Sequence, residues 1–146
     1  MSKIKNTCIN GERGQKSEVA SLNLVKDKGI AGDYHARGGN RQISLLADES
    51  IQKMRALLGE KHKKILFPGA FGENIITEGI DLLTLKIGQS IKINQAVLEI
   101  SKIGKDCPAP CEIHRLTGKC IMPTEGIFAK VLEEGTISKG DKIDIL

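Results

Sequence analysis

The feature that most constrains this fold is a set of short runs in which apolar, often β-branched residues alternate with polar ones. Alternation with a period of two places the apolar side chains on one face of a β-strand. Turns that contain glycine separate the runs, at Gly29, Gly79, Gly88 and Gly140. The chain is therefore predicted to be mainly β. The predicted strands occupy residues 17–25, 41–46, 73–77, 89–94, 96–103 and 141–146.

One segment has the spacing of a helix. Residues 48–60, DESIQKMRALLGE, begin with Asp48 as a candidate N-cap and end near Gly59, a residue type that commonly ends helices. With 16 glycines and several strands in the chain, we predict a β-barrel with a few short helices, one of them over residues 48–58. The apolar residues on one predicted face of this helix are Ile51, Met54, Leu57 and Leu58.

The chain is predicted to form one domain. Its 146 residues are a typical length for one domain, and no linker or low-complexity segment divides them, so we expect a single domain over residues 1–146. The segments KIGQSIKI and SKGDKIDI, residues 86–93 and 138–145, each place a glycine turn before an alternating strand. This similarity predicts two similar hairpins of the barrel and not a duplicated domain.

The composition argues against several functional classes. The N-terminal residues MSKIKNTCINGERG lack the apolar core of a signal peptide, and no window approaches a membrane span. We therefore expect a cytoplasmic protein with reduced cysteines, no structural disulfide and no membrane partner. The net charge is +4, the lysines are scattered and aromatic residues make up only 3%. Nucleic acid is not expected as a partner, because its recognition requires a basic stripe with aromatic stacking platforms.

Three polar clusters exceed what a plain barrel needs, and the first is GIAGDYHARGGNRQISLL, residues 29–46. Two groups of glycines surround Asp33, His35, Arg37 and Arg41 just before a predicted strand. Glycine-rich backbone with arginines suits a phosphate or another oxyanion. A surface loop in which Asp33 and His35 bond to their own turns explains the same residues equally well, so the spacing leaves both interpretations open.

The second cluster is FPGAFGENI, residues 67–75. Its proline and glycines bring the chain tightly into the predicted strand at Glu73 and Asn74. Such a pair at the mouth of a strand either binds a ligand or fixes the loop. The spacing by itself favours loop fixation.

The third cluster is GKDCPAPCEIH, residues 104–114. Pro108 at the first position of a short helix would place Cys107 at the positive end of the helix dipole, which favours the thiolate. Cys111 and His114 follow at helical spacing on the same face.

Several chemistries fit this third cluster. A zinc site has suitable ligand types, although the spacing is not that of a standard zinc finger. A dithiol redox pair usually has a shorter C-x-x-C spacing, and simple packing thiols are a further alternative. We favour a single reactive thiolate, Cys107, as a sulfur carrier or metal ligand. The zinc site would comprise Cys107, Cys111, His114 and Cys120.

The ordered motifs of the chain resemble the MOSC domain family, which is related to the C-terminal domain of molybdenum cofactor sulfurases. The resemblance is clearest from residue 29 to residue 146, and the N-terminal strands would complete the barrel. The motifs are GIAGDYH, RQISLL followed by a glutamate, PGAFGENI, GIDLLTLKIG, LEISKIGKDC and GIFAKVLEEGTISKGDKI.

The resemblance implies a β-rich, barrel-like fold that binds the pterin-type molybdenum cofactor (molybdopterin) and has one key cysteine, Cys107 in this sequence. Cys107 would act as a persulfide carrier or as a molybdenum ligand. Arg37 and Arg41 would hold the phosphate of the cofactor, and the other matched residues would hydrogen-bond the pterin or orient the loops. The matched motif residues are Gly32, Asp33, His35, Arg41, Gln42, Gly72, Glu73 and Asn74.

The resemblance also sets limits on activity. Some larger relatives carry a pyridoxal-phosphate desulfurase domain, for which 146 residues have no room. Others carry an additional N-terminal region that completes the cofactor pocket, and we expect this chain to lack it. We therefore expect no pyridoxal phosphate in this chain, and a cysteine desulfurase or a molybdoenzyme as partner. The small form is more similar to a sulfur carrier or cofactor-handling module than to an independent catalyst. The alternative is a zinc-stabilised or plain β-barrel interaction module.

Overall fold

The computed structural model describes residues 2–12, 15–34, 36–60, 65–104 and 125–146, and over these residues the chain is mainly β, as predicted. Helix α1 (Asp48–Leu58) and a 3-10 turn at Leu82–Thr84 accompany the strands within these described ranges. The strands are β1 (Lys3–Ile9), β2 (Ser17–Glu18), β3 (Ser21–Val25), β4 (Gly29–Ile30), β5 (Ile43–Ala47), β6 (Ile75–Glu78), β7 (Ser90–Ile93), β8 (Ala96–Ile103), β9 (Ile127–Glu133), β10 (Gly135–Ser138) and β11 (Asp144–Ile145).

The strands form two sheets. An eight-stranded sheet has the order β11-β7-β8-β9-β5-β6-β1-β2, and a second sheet has the order β10-β3-β4. The large sheet curls into a half-barrel. Its two sides approach each other, because Ile4 donates to the carbonyl oxygen of Asp141 and Ile143 donates to that of Ser2, both at 2.9 Å. Among the strands that the structure describes, β5 and β6 run parallel and the other pairs are antiparallel.

The two similar segments noted in the sequence pair with each other. In β11 and β7, Asp144 lies opposite Lys92 and Ile145 lies opposite Ile91. The predicted strand 96–103 matches β8, whereas the predicted strand 17–25 is divided into β2 and β3. The division follows from partner choice, since β2 pairs with β1 in the large sheet and β3 joins the small sheet.

Helix α1 has the predicted extent but a different beginning. Its N-cap is Ala47, the last residue of β5, and no side chain caps the helix, so the prediction of Asp48 as N-cap was wrong. The strand leads directly into the helix, and the Asp48 carboxylate instead pairs with Lys5 at 2.9 Å. Leu57 is 57% exposed and does not belong to the buried face. The buried residues of α1 are Ser50, Ile51, Met54 and Leu58.

The apolar side chains form two clusters on opposite faces of the curled sheet. The larger cluster fills the inside of the half-barrel, with Ile43 and Leu45 of β5 among its fully buried members. The smaller cluster lies between α1 and the sheet and includes Leu46 and Phe128. The alternation in β5 thus supplies both cores. Within the described residues, no helix is long and apolar enough to cross a membrane.

Candidate functional site

Two of the three polar clusters meet where β5 and β6 begin. These strands run parallel, with Leu45 opposite Ile75, so the segments that precede them enter the sheet side by side. We call residues 31–34 and 36–42 the arginine loop and residues 67–74 the glycine loop. Because adjacent parallel strands start at the same edge, the Arg-Gln motif of one loop lies next to the Gly-Glu-Asn motif of the other.

Asn74 joins the glycine loop to β5 and β1. Its side-chain oxygen accepts hydrogen bonds from the Ser44 backbone N–H at 3.0 Å and from the Ser44 hydroxyl at 3.1 Å. Its amide nitrogen donates to the carbonyl oxygen of Cys8 at 3.1 Å. Asn74 is 0% exposed. Its side chain therefore fixes three strands.

Asn74→Ala is expected to destabilise the protein by about 3 kcal/mol, because it leaves buried donors and an acceptor unpaired at about 1–3 kcal/mol each. Denaturation in urea measures this loss. The control is Asn23→Ala, since the exposed side chain of Asn23 accepts a hydrogen bond from the Thr136 hydroxyl at 3.0 Å and its removal should change stability by less than about 0.5 kcal/mol. Equal losses in the two variants would contradict the assigned role of Asn74.

Glu73 closes the glycine loop on itself. Its two carboxylate oxygens accept from the backbone N–H groups of Gly69 at 3.2 Å and Phe71 at 2.9 Å, and the residue is 0% exposed. Burial raises the pKa of Glu73 to about 7, although the backbone hydrogen bonds and the positive charge of Lys16 lower it. The two hydrogen bonds make the Glu73 carboxyl group a latch of the glycine loop.

Asp33 belongs to a buried ion pair. The Lys16 ammonium lies 2.7 Å from the Asp33 carboxylate, and the two side chains are 1% and 0% exposed. The same carboxylate oxygen accepts from the Asn10 backbone N–H at 3.1 Å. The neighbouring Gly32 is exposed in a turn. Asp33 therefore anchors the arginine loop from within, while Gly32 lies at the surface.

Gln42 fixes the end of the arginine loop. Its amide nitrogen donates to the carbonyl oxygen of Gly39 at 3.1 Å, and its oxygen accepts from the Val131 backbone N–H at 2.9 Å. Gln42 is 3% exposed. Like Asn74 and Asp33, it therefore acts within the protein and holds the loop against β9.

The two arginines of the loop have more accessible side chains. The Arg41 guanidinium lies 5.6 Å from the ring centre of Phe128 on β9, and Arg41 is half-buried. The Arg37 guanidinium lies 4.3 Å from the ring centre of Tyr34, and Arg37 is exposed. Both are within cation–π distance. These contacts hold the cationic heads at the protein surface, where they suit an anionic group.

The arginine loop also reaches the strand that leads to the cysteine segment. The Ser101 hydroxyl of β8 donates to the carbonyl oxygen of Asn40 at 2.5 Å. Three residues later the Gly104 backbone N–H donates to the carbonyl oxygen of Gly126 at 2.7 Å. The chain therefore leaves and re-enters the sheet at neighbouring points.

The predicted reactive residues of that segment, Cys107, Cys111, His114 and Cys120, lie outside the described residues, as does His35. The part of the chain that the structure describes contains no group of three His, Cys, Asp or Glu side chains that would hold a metal. The predictions for Cys107 as thiolate, and for the alternative zinc site, therefore remain predictions.

Sequence analysis missed two residues that organise this region. Ser44 of β5 fixes the glycine loop at two points, because its hydroxyl lies 3.0 Å from the carbonyl oxygen of Gly72 as well as 3.1 Å from the side-chain oxygen of Asn74. Lys16 is 2% exposed, although lysine is rarely buried. No local signal in the sequence distinguishes this lysine from exposed ones.

Comparisons with known proteins agree with this architecture. The sequence profile of the MOSC domain matches residues 32–144. No curated protein matches the chain significantly. The YuaD protein from Bacillus subtilis has a similar structure, with a TM-score of 0.77 and 21% identity over 99% of this chain and 96% of that one.

The YiiM proteins are also similar in structure. YiiM from Escherichia coli gives a TM-score of 0.71 and 18% identity over 99% of this chain and 69% of that one. YiiM from Geobacillus stearothermophilus gives 0.73 and 18% identity over 100% of this chain and 75% of that one. At these identities the similarity establishes the fold alone.

Proposed function

The chain belongs to the MOSC domain family, and we propose that it binds the molybdenum cofactor through its arginine loop and carries sulfur on Cys107. Membership of the family makes it a molybdenum-cofactor-related domain. The cofactor is a pterin with a phosphate, so its recognition calls for cationic donors at the surface and a soft ligand for the metal.

One hydrogen bond carries the proposal. The bond from Ser101 to Asn40 fixes the arginine loop on β8, three residues before Gly104. Cys107 follows Gly104 by three residues, and three residues span at most about 11 Å. The loop that carries Arg37 and Arg41 and the segment that carries Cys107 thus start from the same part of the sheet. This proximity supports one shared site.

The described residues of the candidate site fall into two groups, and one of them is suited to contact a phosphate-bearing ligand. Arg37 and Arg41 have accessible guanidinium groups, which present forked donors suited to phosphate. The exposed backbone of Gly32 allows close approach of a ligand. Asp33, Gln42, Glu73 and Asn74 are buried and bonded within the protein. We therefore assign these four to the orientation of the two loops and not to contacts with the pterin.

Sulfur transfer would use the chain's own thiolate. The Cys107 thiolate attacks the terminal sulfur of a persulfide on a partner cysteine desulfurase. A sulfur–sulfur bond forms on Cys107 as the partner's sulfur–sulfur bond breaks, and the partner leaves as a thiolate. The bound cofactor supplies a molybdenum centre that takes thiolate or sulfide ligands. Cys107 would present its sulfane sulfur to that centre or serve directly as a ligand.

The proposed phosphate contacts predict the behaviour of an Arg37→Ala/Arg41→Ala double variant. The loss of two charge-assisted contacts, about 1.5–3 kcal/mol each, should weaken molybdopterin retention at least tenfold. The measurement is molybdopterin content after purification from a molybdenum-replete host.

The matched control is Lys139→Ala, which removes a positive charge at an exposed turn after β10 and should leave retention unchanged. Circular dichroism verifies that each variant is folded. Wild-type levels of molybdopterin in the folded double variant would overturn the assignment of the arginine loop, and a wild-type protein without molybdopterin would overturn the proposed function.

A further inference from the structure

We propose that Lys16 is the positioning residue of the candidate site, whose buried ammonium group holds the arginine loop while its main chain contacts the glycine loop. The inference deepens the proposed function, because it rests on these loops being the cofactor-binding loops. Lys16 lies between β1 and β2, outside the motifs that carry the family resemblance.

The contact with the arginine loop is an ion pair removed from water. The Lys16 ammonium and the Asp33 carboxylate are 2.7 Å apart, with 1% and 0% of their side chains exposed. A buried charge is costly unless it is paired, so each residue of this ion pair stabilises the charge of the other. The position of Asp33, and with it the start of the arginine loop, therefore depends on Lys16.

The contact with the glycine loop involves the main chain of Lys16. Its backbone N–H donates to the carbonyl oxygen of Gly69 at 2.9 Å, and a Cβ atom at Gly69 would lie 2.1 Å from the Lys16 carbonyl oxygen. Gly69 in turn donates its N–H to the Glu73 carboxylate at 3.2 Å. The two chain segments are therefore in direct contact at a position where only glycine fits.

The positive charge of Lys16 acts on two buried carboxyl groups, those of Asp33 and Glu73. Besides its pairing with Asp33, it lowers the pKa of Glu73, which burial raises to about 7. Cys8 on β1 is a further titratable group near Glu73, and its pKa is raised to about 12 by burial, with further contributions from Glu73 and Glu18. Cys8 thus remains a neutral thiol. Lys16 is therefore the cation that favours the ionised form of the Glu73 latch.

Neutralising Lys16 should raise the pKa of Glu73. Without the Lys16 charge, the pKa of Glu73 rises above about 7, and more of the carboxyl group is protonated at neutral pH. A protonated carboxyl group accepts more weakly from Gly69 and Phe71. Both loops should therefore loosen together when the lysine is neutralised.

The test measures the ionisation of Glu73 and the amide exchange of the loops in protein without cofactor. The main variant is Lys16→Met combined with Asp33→Asn, which removes both charges of the pair and avoids an unpaired buried carboxylate. We expect the carbon-13 titration midpoint of Glu73 to move to higher pH and the amides of Gly69 and Phe71 to exchange at least tenfold faster at pH 7. Lys16→Arg, which keeps the positive charge, should keep the titration midpoint of Glu73 at its wild-type pH.

Asp33→Asn alone serves as the second variant and decides the outcome if the double variant does not fold. It keeps the lysine and removes the competing carboxylate, so the Glu73 midpoint should move to lower pH. An unchanged midpoint in both variants, or unchanged exchange at Gly69 and Phe71 in a folded double variant, would overturn the positioning role. A merely structural contact would not move the midpoint in opposite directions.

These readouts separate the inference from the proposed function. Wild-type protein that never retains molybdopterin would overturn the function while leaving the titration of Glu73 to decide the role of Lys16. If the wild type does retain molybdopterin, the folded Lys16→Met/Asp33→Asn variant should retain at least tenfold less of it. Lys16→Arg should retain as much as the wild type. Full retention in the double variant would show that the two loops need no positioning by Lys16.

Discussion

Gly69→Ala is expected to destabilise the protein by about 4 kcal/mol, because backbone strain and overpacking of a close contact each cost about 1–3 kcal/mol. Gly69 has a φ of 95°, where a side chain is strained. The added Cβ atom would lie 2.1 Å from the carbonyl oxygen of Lys16, which is a backbone atom and not the end of a flexible side chain. Domains of this kind have about 5–15 kcal/mol of total stability, so the variant should be close to unfolding.

The matched control for this variant is Gly88→Ala. Gly88 has a φ of 93°, but no other atom lies within 4 Å of its added Cβ. It should therefore show the backbone strain by itself, about 1–2 kcal/mol. Urea denaturation of both variants separates the two contributions. Equal losses would mean that the glycine loop moves away from Lys16 at little cost.

Cys107→Ser is expected to abolish sulfur loading. The serine hydroxyl does not form a persulfide, and no other cysteine in the described residues replaces the thiolate. Cys8 is 0% exposed, and burial raises its pKa to about 12, so it stays protonated and inaccessible. The measurement is the mass of the protein after incubation with a cysteine desulfurase and cysteine. Wild-type protein should gain the mass of one sulfur atom, and Cys107→Ser should gain none.

Cys111→Ser is the matched control, four residues along the same segment. It should load like the wild type and keep its persulfide longer, because a second thiol nearby can attack the persulfide and release sulfide. Loading that persists in Cys107→Ser would remove the carrier role from this residue. Near-stoichiometric zinc that is lost equally in both variants would instead support the zinc-stabilised module.

Local patterns account for the parts of the fold that the sequence predicted well. Strand β8 spans the predicted residues 96–103, because its alternation reflects one buried face along its whole length. Helix α1 covers the predicted residues 48–58 and stops at Gly59, which has a φ of 72°. The Asp48 cap was predicted wrongly because capping depends on what precedes the helix, and here the preceding residue is the end of a strand.

The candidate site, like the fold, was predicted from the sequence in part. The sequence by itself determined which residues gather in polar clusters, and the favoured interpretation of Glu73 and Asn74 as loop fixation agrees with their hydrogen bonds. Glycine and proline spacing predicts such tight loops locally. It does not predict whether a polar side chain of the loop points into the protein or towards the solvent.

Only the tertiary structure decided that Lys16 joins Asp33 and the glycine loop. Lys16 and Asp33 are 17 positions apart, and Gly69 lies far beyond them in the chain. A lysine is buried only when the fold brings a carboxylate to it, and that depends on strand pairing rather than on neighbouring residues. The parallel pairing of β5 with β6 places the two loops together, and so the site is a property of sheet order as much as of its motifs.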